Sequence, residues 1–227
     1  MNNTNRTVIS RRSRPAKEPL SKELIVKTAL ELLENEGAPG LSMRRVAKAL
    51  DTGPSSLYVY VTNLQELSAY VLDGGLHKVV LPDVNERSWK SLLFEMLFSY
   101  QKVLYECPGI AELALTTIPI GPYSLAITEY ILARLHEGGI SSTSAAWGVD
   151  LLLLYTSSVA FEQVSRIEKG TPLHALSASY QSLNAMKYPM LTALKDVMTG
   201  GEMTSEGHER FLWGLEVILQ GILHVKS

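Results

Sequence analysis

Apolar positions recur along this chain at intervals of three and four, and almost nowhere alternate with period two, so the elements it predicts are helices. Residues 21–36 open with Ser21 as an N-cap and Glu23 in the first turn. They place Ile25, Ala29, Leu32 and Leu33 on one face and stop at Gly37. Ser42 caps a second, short helix with Val46, Ala47 and Leu50 inside. Asp51-Thr52-Gly53 makes a tight turn, and Pro54 suits the first position of a third helix running to about Tyr60. Asn63 caps a fourth helix expected to reach about Val80, closed by Pro82-Asp83.

Beyond that point the pattern lengthens. Residues 88–106 carry one broad apolar stripe (Trp89, Leu92, Leu93, Met96, Leu97, Tyr100, Val103, Leu104) that ends before Pro108. A short helix over 109–117 is broken by Ile118-Pro119-Ile120-Gly121-Pro122, and another spans 123–137 up to Gly138-Gly139. A long helix from Ser141 to about Lys169 is apolar on more than one side. Residues 171–188 are ambiguous, because Pro172 can start a helix that Ser177, Ser179, Ser182 and Asn184 weaken. Helices over 189–198 and 206–225 complete the chain. The expected fold is all-α, in two parts joined through the fourth helix.

Composition adds limits. The longest unbroken apolar runs, such as 151–155, fall far short of the roughly 20 residues that cross a bilayer, so no membrane association is expected. Cys107 is the single cysteine, which excludes an intrachain disulfide and any multi-cysteine zinc site. Residues 1–6 have no apolar core behind them and form no secretory signal, so a reducing, cytoplasmic compartment is expected.

The net charge of −2 hides an asymmetry. Residues 1–66 carry ten Lys and Arg against seven Asp and Glu, whereas 67–227 carry eleven against sixteen. Arg6, Arg11, Arg12, Arg14 and Lys17 stand in an N-terminal arm, 1–17, without any acid. Such an arm is either a solvated, disordered tail or the footing for a polyanion. A transit peptide would be similarly acid-poor, but Val8 and Ile9 are too few apolar residues for its amphipathic helix.

Two short helices around a four-residue turn bury little alone, and a common use is to hold the second one in a DNA major groove. Leu41, Val46, Leu50, Leu57 and Val61 would then face inward, leaving Ser55, Ser56, Tyr58, Val59 and Tyr60 on or near the exposed side. Exposed tyrosines are unusual on a purely structural helix, but against DNA they offer a ring to thymine methyls and a hydroxyl to phosphate. Arg44 and Arg45 start the preceding helix, where the Ser42 hydroxyl and the backbone N–H groups would meet a phosphate. A small structural subdomain with surface tyrosines fits the same spacing.

The stretch Gly40-Leu41-Ser42-Met43-Arg44-Arg45-Val46-Ala47, followed by Ser56-Leu57-Tyr58-Val59-Tyr60-Val61 and Asn63, resembles the DNA-binding domain of the TetR family of bacterial transcriptional regulators. Residues 211–221 are similar to the last helix of many such regulators. The resemblance implies a helix-turn-helix domain over 18–70 and a helical ligand-binding and dimerisation domain over 71–227. It implies phosphate or groove-edge contacts from Ser42, Arg44, Tyr58 and Tyr60, with groove reading by Pro54, Ser55, Ser56 and Val59. Two positions depart from the pattern. Asp51 stands where glycine is usual, although aspartate tolerates a left-handed backbone. Leu64 replaces a phosphate-contacting lysine, a loss the basic arm could offset.

The same resemblance implies a homodimer on a palindromic operator, built from the helix ending near 169 and the last helix as a four-helix bundle. Gly214 and Gly221 would admit either a partner's backbone or a neighbour within the chain. It implies further a small-molecule effector in an apolar cavity of the middle helices, for which Tyr100, Thr116, Thr117, Tyr123, Trp147, Asp150 and Phe161 are candidate lining. Asp150, before four leucines, either points inward to a cationic ligand or faces solvent. Thr116 and Thr117 either line a pocket mouth or end a helix with local hydroxyl bonds. The magnesium chemistry of some relatives needs histidine in the region 109–122, which has none, so no metal and no cofactor are expected.

Enzymatic readings are poor. No two of the five histidines sit three or four apart, and there is no phosphate loop, no Gly-x-Ser-x-Gly and no Gly-x-Gly-x-x-Gly. Cys107 has no obvious base and reads as a buried thiol. Three functions remain in order: a repressor released by a small ligand, a DNA reader with a protein partner or no effector, and a helical enzyme or carrier with a structural first domain.

Overall fold

A computed structural model describes residues 18–84, 87–168, 170, 173–199 and 205–225, and among them all regular structure is helical. The basic arm, 1–17, lies outside the described residues, as do 171–172 and 200–204. The helices are α1 (Lys22–Glu36), α2 (Met43–Ala49), α3 (Pro54–Leu57), α4 (Leu64–Gly75), α5 (Trp89–Glu106), α6 (Pro108–Thr116), α7 (Pro122–Glu137), α8 (Ser142–Glu168), α9 (Leu173–Gln181), α10 (Pro189–Thr199) and α11 (Ser205–His224).

The helix starts follow local chemistry. Ser21 Oγ accepts the Leu24 amide at 3.1 Å, Ser42 Oγ that of Arg45 at 3.3 Å, Asn63 Oδ1 that of Glu66 at 2.8 Å and Ser88 Oγ that of Ser91 at 3.2 Å. Hydrogen bonds from its own backbone amide and from Ser21 hold the Glu23 carboxyl below its ordinary range. Gly37 ends α1 in the left-handed region at φ 67°, followed by a 3₁₀ turn, Ala38–Gly40.

Two expected helices are shorter than their patterns. α3 stops at Leu57, and residues 58–60 form a turn in which the Tyr60 and Val61 amides both bond the Leu57 carbonyl. β-Branched and aromatic side chains there favour helix little. α4 ends at Gly75, not near Val80, and tightens into a 3₁₀ turn at Leu76–Lys78. Gly74 and Gly75 lower helix propensity at that end. The ambiguous 171–188 segment contains α9 and then a turn in which Asn184 Oδ1 accepts the Met186 and Lys187 amides at 2.9 and 3.1 Å.

α1 to α3 form a head whose inner residues Leu41, Val46, Leu50, Leu57 and Val61 are all buried, as their spacing requires. α4 leads from the head into the body, packing on α1 on one side and on α6 and α7 on the other. In the body α8 is central and lies against α5, α6, α7 and α11. Its residues 142–167 are long and apolar enough to cross a membrane by length and composition, a signal that counting unbroken runs missed. One face of the helix (Ala145, Val149, Leu152, Thr156, Ala160) is spent in the core. α9 and α10 pack on each other as a hairpin.

Candidate nucleic-acid interface

The outer side of the head is assembled from α2, its following turn and α3. Asp51 carries φ 48°, the only left-handed non-glycine backbone among the described residues, so the aspartate adopts the conformation expected of it. The turn closes with the Thr52 amide on the Ala47 carbonyl at 2.9 Å. Gly53 then places Pro54 at the first position of α3. Leu57 is fully buried and fixes the roll of this one-turn helix.

That roll turns Pro54 and Ser55 outward with Tyr58, 53 % exposed, and Val59, 80 % exposed, while Ser56 is half-buried. Tyr60 departs from the expected exposure. It packs on the head core, and its hydroxyl donates to the Leu20 carbonyl at 2.7 Å. The reason is the turn after Leu57, which swings residue 60 away from the side that 58 and 59 occupy. Tyr60 therefore anchors the segment ahead of α1 and leaves Tyr58 as the exposed ring.

The two arginines also separate. Arg45 forms an ion pair with Glu36, and its Nη1 donates to the Pro39 carbonyl at 3.3 Å, which holds it back along the head. Arg44 is exposed beside Lys48. Asn63 spends its carbonyl on the α4 cap and keeps its amide as a donor. Glu66 reciprocates through Oε2, which accepts the Thr62 amide at 2.6 Å and the Thr62 hydroxyl at 2.7 Å. These bonds, the hydroxyl first, lower the Glu66 carboxyl below its usual value. Leu64 lies on the surface with no charge to offer.

The seven residues expected to line a cavity in the body do not come together. Tyr100 is buried and its hydroxyl meets Ser157 Oγ at 3.3 Å, with desolvation pushing the phenol's pKa up. Phe161 is half-buried against the core. Trp147, 68 % exposed, and Asp150 lie on the outside of α8 instead, so the solvent-facing alternative for Asp150 holds. A helix turns about 100° per residue, and burial of 145, 149, 152 and 156 directs 147, 150, 151 and 154 away from α5. Thr116 is exposed and its hydroxyl donates to the Glu112 carbonyl at 3.0 Å, the local bond of a helix end, and Thr117 is half-buried. Tyr123 is exposed, edge-on to His77 at 6.2 Å between ring centroids.

Sequence reasoning missed Ser157 and Thr156, buried polar residues on the inner face of α8, because serine and threonine look solvent-facing without a neighbour to bury them. The body also stacks Tyr155 on Phe211 at 5.6 Å and sets Phe98 edge-on to it at 5.3 Å. Gly214 admits the Tyr155 hydroxyl, which a Cβ would approach to 2.0 Å, so this glycine serves a neighbour in the same chain, whereas Gly221 faces open space. A cleft of about 260 Å³ lies at the joint of head and body, between Glu34, Lys78, Glu106 and Cys107. Desolvation raises the pKa of the half-buried Cys107 thiol. No three metal-ligating side chains come together among the described residues.

The matches to known proteins run through both parts. Residues 81–225 match the family described as "Tetracyclin repressor-like, C-terminal domain". An HTH-type transcriptional regulator of Saccharopolyspora erythraea is 30 % identical over 184 residues, 78 % of each chain. The HTH-type transcriptional repressor DrrR1 of Streptomyces coeruleorubidus is 26 % identical over 221 residues, 92 % of this chain and 82 % of that one. Apo ActR from Streptomyces coelicolor superposes with TM-score 0.81 at 36 % identity, covering 92 % of this chain and 97 % of its own. ActR is also known in complex with (S)-DNPA and with actinorhodin. The first two relatives are named as transcriptional regulators, and ActR as a TetR family protein. With its helix-turn-helix head and a matching body, this chain belongs to the TetR family of transcriptional regulators.

Proposed function

We propose that the protein is a dimeric repressor of the cytoplasm that binds a palindromic operator through residues 18–70 and leaves it when a small molecule occupies the body, residues 71–227. The observation that carries the DNA part is the exposed strip Pro54, Ser55, Tyr58 and Val59 held out by the buried Leu57. In this reading Tyr58 and Val59 meet base edges and thymine methyls with Ser55, Ser56 and Pro54 beside them. Ser42, Arg44 and Asn63 hold phosphates, and Arg45 and Tyr60 keep the reader in position. The basic arm adds phosphate contacts that Leu64 does not make, and its removal would flatten the salt dependence of binding.

The dimer reading is supported by the outer faces of α8 and α11, where Trp147, Leu151 and Leu154 accompany Trp213, Val217 and Gly221. Two such pairs meeting across a two-fold axis make a four-helix bundle and bring two heads onto successive half-sites. The effector reading is supported by the buried Tyr100–Ser157 hydroxyl pair, a polar contact between α5 and α8 within the apolar body. The effector expected in the body is largely apolar, and the relative ActR is known with actinorhodin bound. A ligand changes the head spacing only by binding one spacing better than the other.

The deciding experiment is a gel shift with duplex DNA flanking the protein's own coding region. The wild type shifts it and Tyr58→Ala does not; if the wild type leaves every flanking fragment unbound, the operator reading fails. A thermal-shift panel of apolar small molecules then separates a ligand-released repressor, whose melting temperature rises with ligand, from a regulator answering to a protein partner.

A further inference from the structure

α4 is the physical link between the two parts, and its second half is enclosed by the body. Asp73, 4 % exposed, sends Oδ1 to the backbone amide of Ser124 in the first turn of α7 at 2.7 Å, a contact between residues 51 apart. Gly121, the N-cap of α7, lies against the same carboxylate so closely that a Cβ would stand 2.1 Å from Oδ2. Its φ of 163° is extended backbone open to any residue, so room for Asp73, and not conformation, requires glycine there. The Ile120 amide adds a long bond of 3.4 Å to the Ala69 carbonyl.

Beyond an exposed ion pair, Lys78 Nζ to Glu34 Oε1 at 3.2 Å, the rest of the joint is steric. A Cβ on Gly75 would come within 2.5 Å of Ile110, and one on Gly109 within 2.6 Å of Leu33. Such apolar contacts resist compression and separation but set little direction against sliding. A carboxylate on the amide of a helix's first turn also resists sliding, because the bond is directional and favoured by the helix dipole.

We propose that Asp73 is a positioning residue that ties the orientation of the head to the N-terminal end of α7, so that a displacement of α7 reaches α3 through α4. The tie itself rests on this geometry alone; its use in an effector response rests on the regulator reading above. A merely structural Asp73 would support folding without setting the direction of the head.

The test uses the full chain in a Cys107→Ser background, with spin labels at Lys48→Cys on the head and Glu129→Cys on α7. An excess of unlabelled chain ensures that only the distance within one chain is read. One narrow distance is expected for the parent and for Asp73→Asn, which keeps an acceptor oxygen at the same place. Asp73→Ala shifts the distance or widens its distribution. Gly121→Ala, which keeps the carboxylate but pushes it aside, does the same and serves if Asp73→Ala does not fold. Folded variants of both kinds that retain the parent distribution overturn the proposal, even if their melting temperatures fall. Neither DNA nor effector enters the measurement, so failure here leaves the regulator reading standing, and a failed gel shift leaves this tie intact.

Discussion

In the head, the large aliphatic residues at the spacing of a helix-turn-helix are spent on the interior, and Tyr58, Val59 and Leu64 are what remains outside. The outer body does the opposite: Trp147, Leu151 and Leu154 on α8, Trp213 and Val217 on α11, and Met190, Leu194 and Val197 on α10 all stand in solvent in the single chain. Apolar surface costs about 25 cal/mol per Å² in water, and patches this extended belong to interfaces. The head is thus complete as a folded unit and presents a small mixed surface suited to a polar partner. The body leaves large apolar side chains on its outer face. On the proposed reading, one part meets a partner for function and the other for burial.

The sharpest way to break that contrast is in the head's interior. Leu57→Ala removes the side chain that sets the roll of α3 and is expected to cost about 2–5 kcal/mol, read by urea denaturation, with operator binding lost alongside. If α3 stood on local propensity alone, the change would be far smaller. In the body, Trp213→Ala should leave helicity unchanged but weaken self-association by about 2 kcal/mol or more, measured by analytical ultracentrifugation over a concentration series. Unchanged association would show that α11 is not where the chain completes itself.

The two tyrosines sharpen the comparison within the head. Tyr60→Phe loses the bond to the Leu20 carbonyl and should lower stability by about 1 kcal/mol, leaving the preferred DNA sequence as it was. Tyr58→Phe should leave stability unchanged and alter binding instead, as paired melting and binding curves would reveal. The smallest effect is a pH dependence at the start of α4. Glu66 has its carboxyl lowered by Thr62 in the folded state, so its contribution is full above the ordinary carboxylate pKa. It disappears as pH falls through the lowered value. Glu66→Ala should remove this dependence from the acid limb of a stability profile.

How much could be read from sequence differs between these parts for the same reason. Ser21, Ser42, Asn63 and Gly37 each act on groups within five residues, so these caps and turns are visible in the spacing, whereas the left-handed Asp51 follows from the glycine that the family pattern has there. The inward set of the head followed from periodicity. Tyr60 was not visible, because its place depends on Leu20, forty residues away. Residue type makes Trp147 a candidate for the inside and leaves Asp150 open between inside and solvent, and only the packing of α8 decides that both lie outward. The family motif at 40–63 identified the head, whereas nothing local announced that Ser157 would be buried against Tyr100.

Helix content, helix starts, the break at 118–122 and the reader motif were therefore in the amino-acid order itself, since each depends on interactions that span one or two turns. The inward roll of Tyr60, the outward face of α8, the seat of Tyr155 over Gly214 and the Asp73–Ser124 tie were settled by three-dimensional packing. Those relations join residues dozens of positions apart, and a helix with more than one apolar side does not record which side its neighbours will cover.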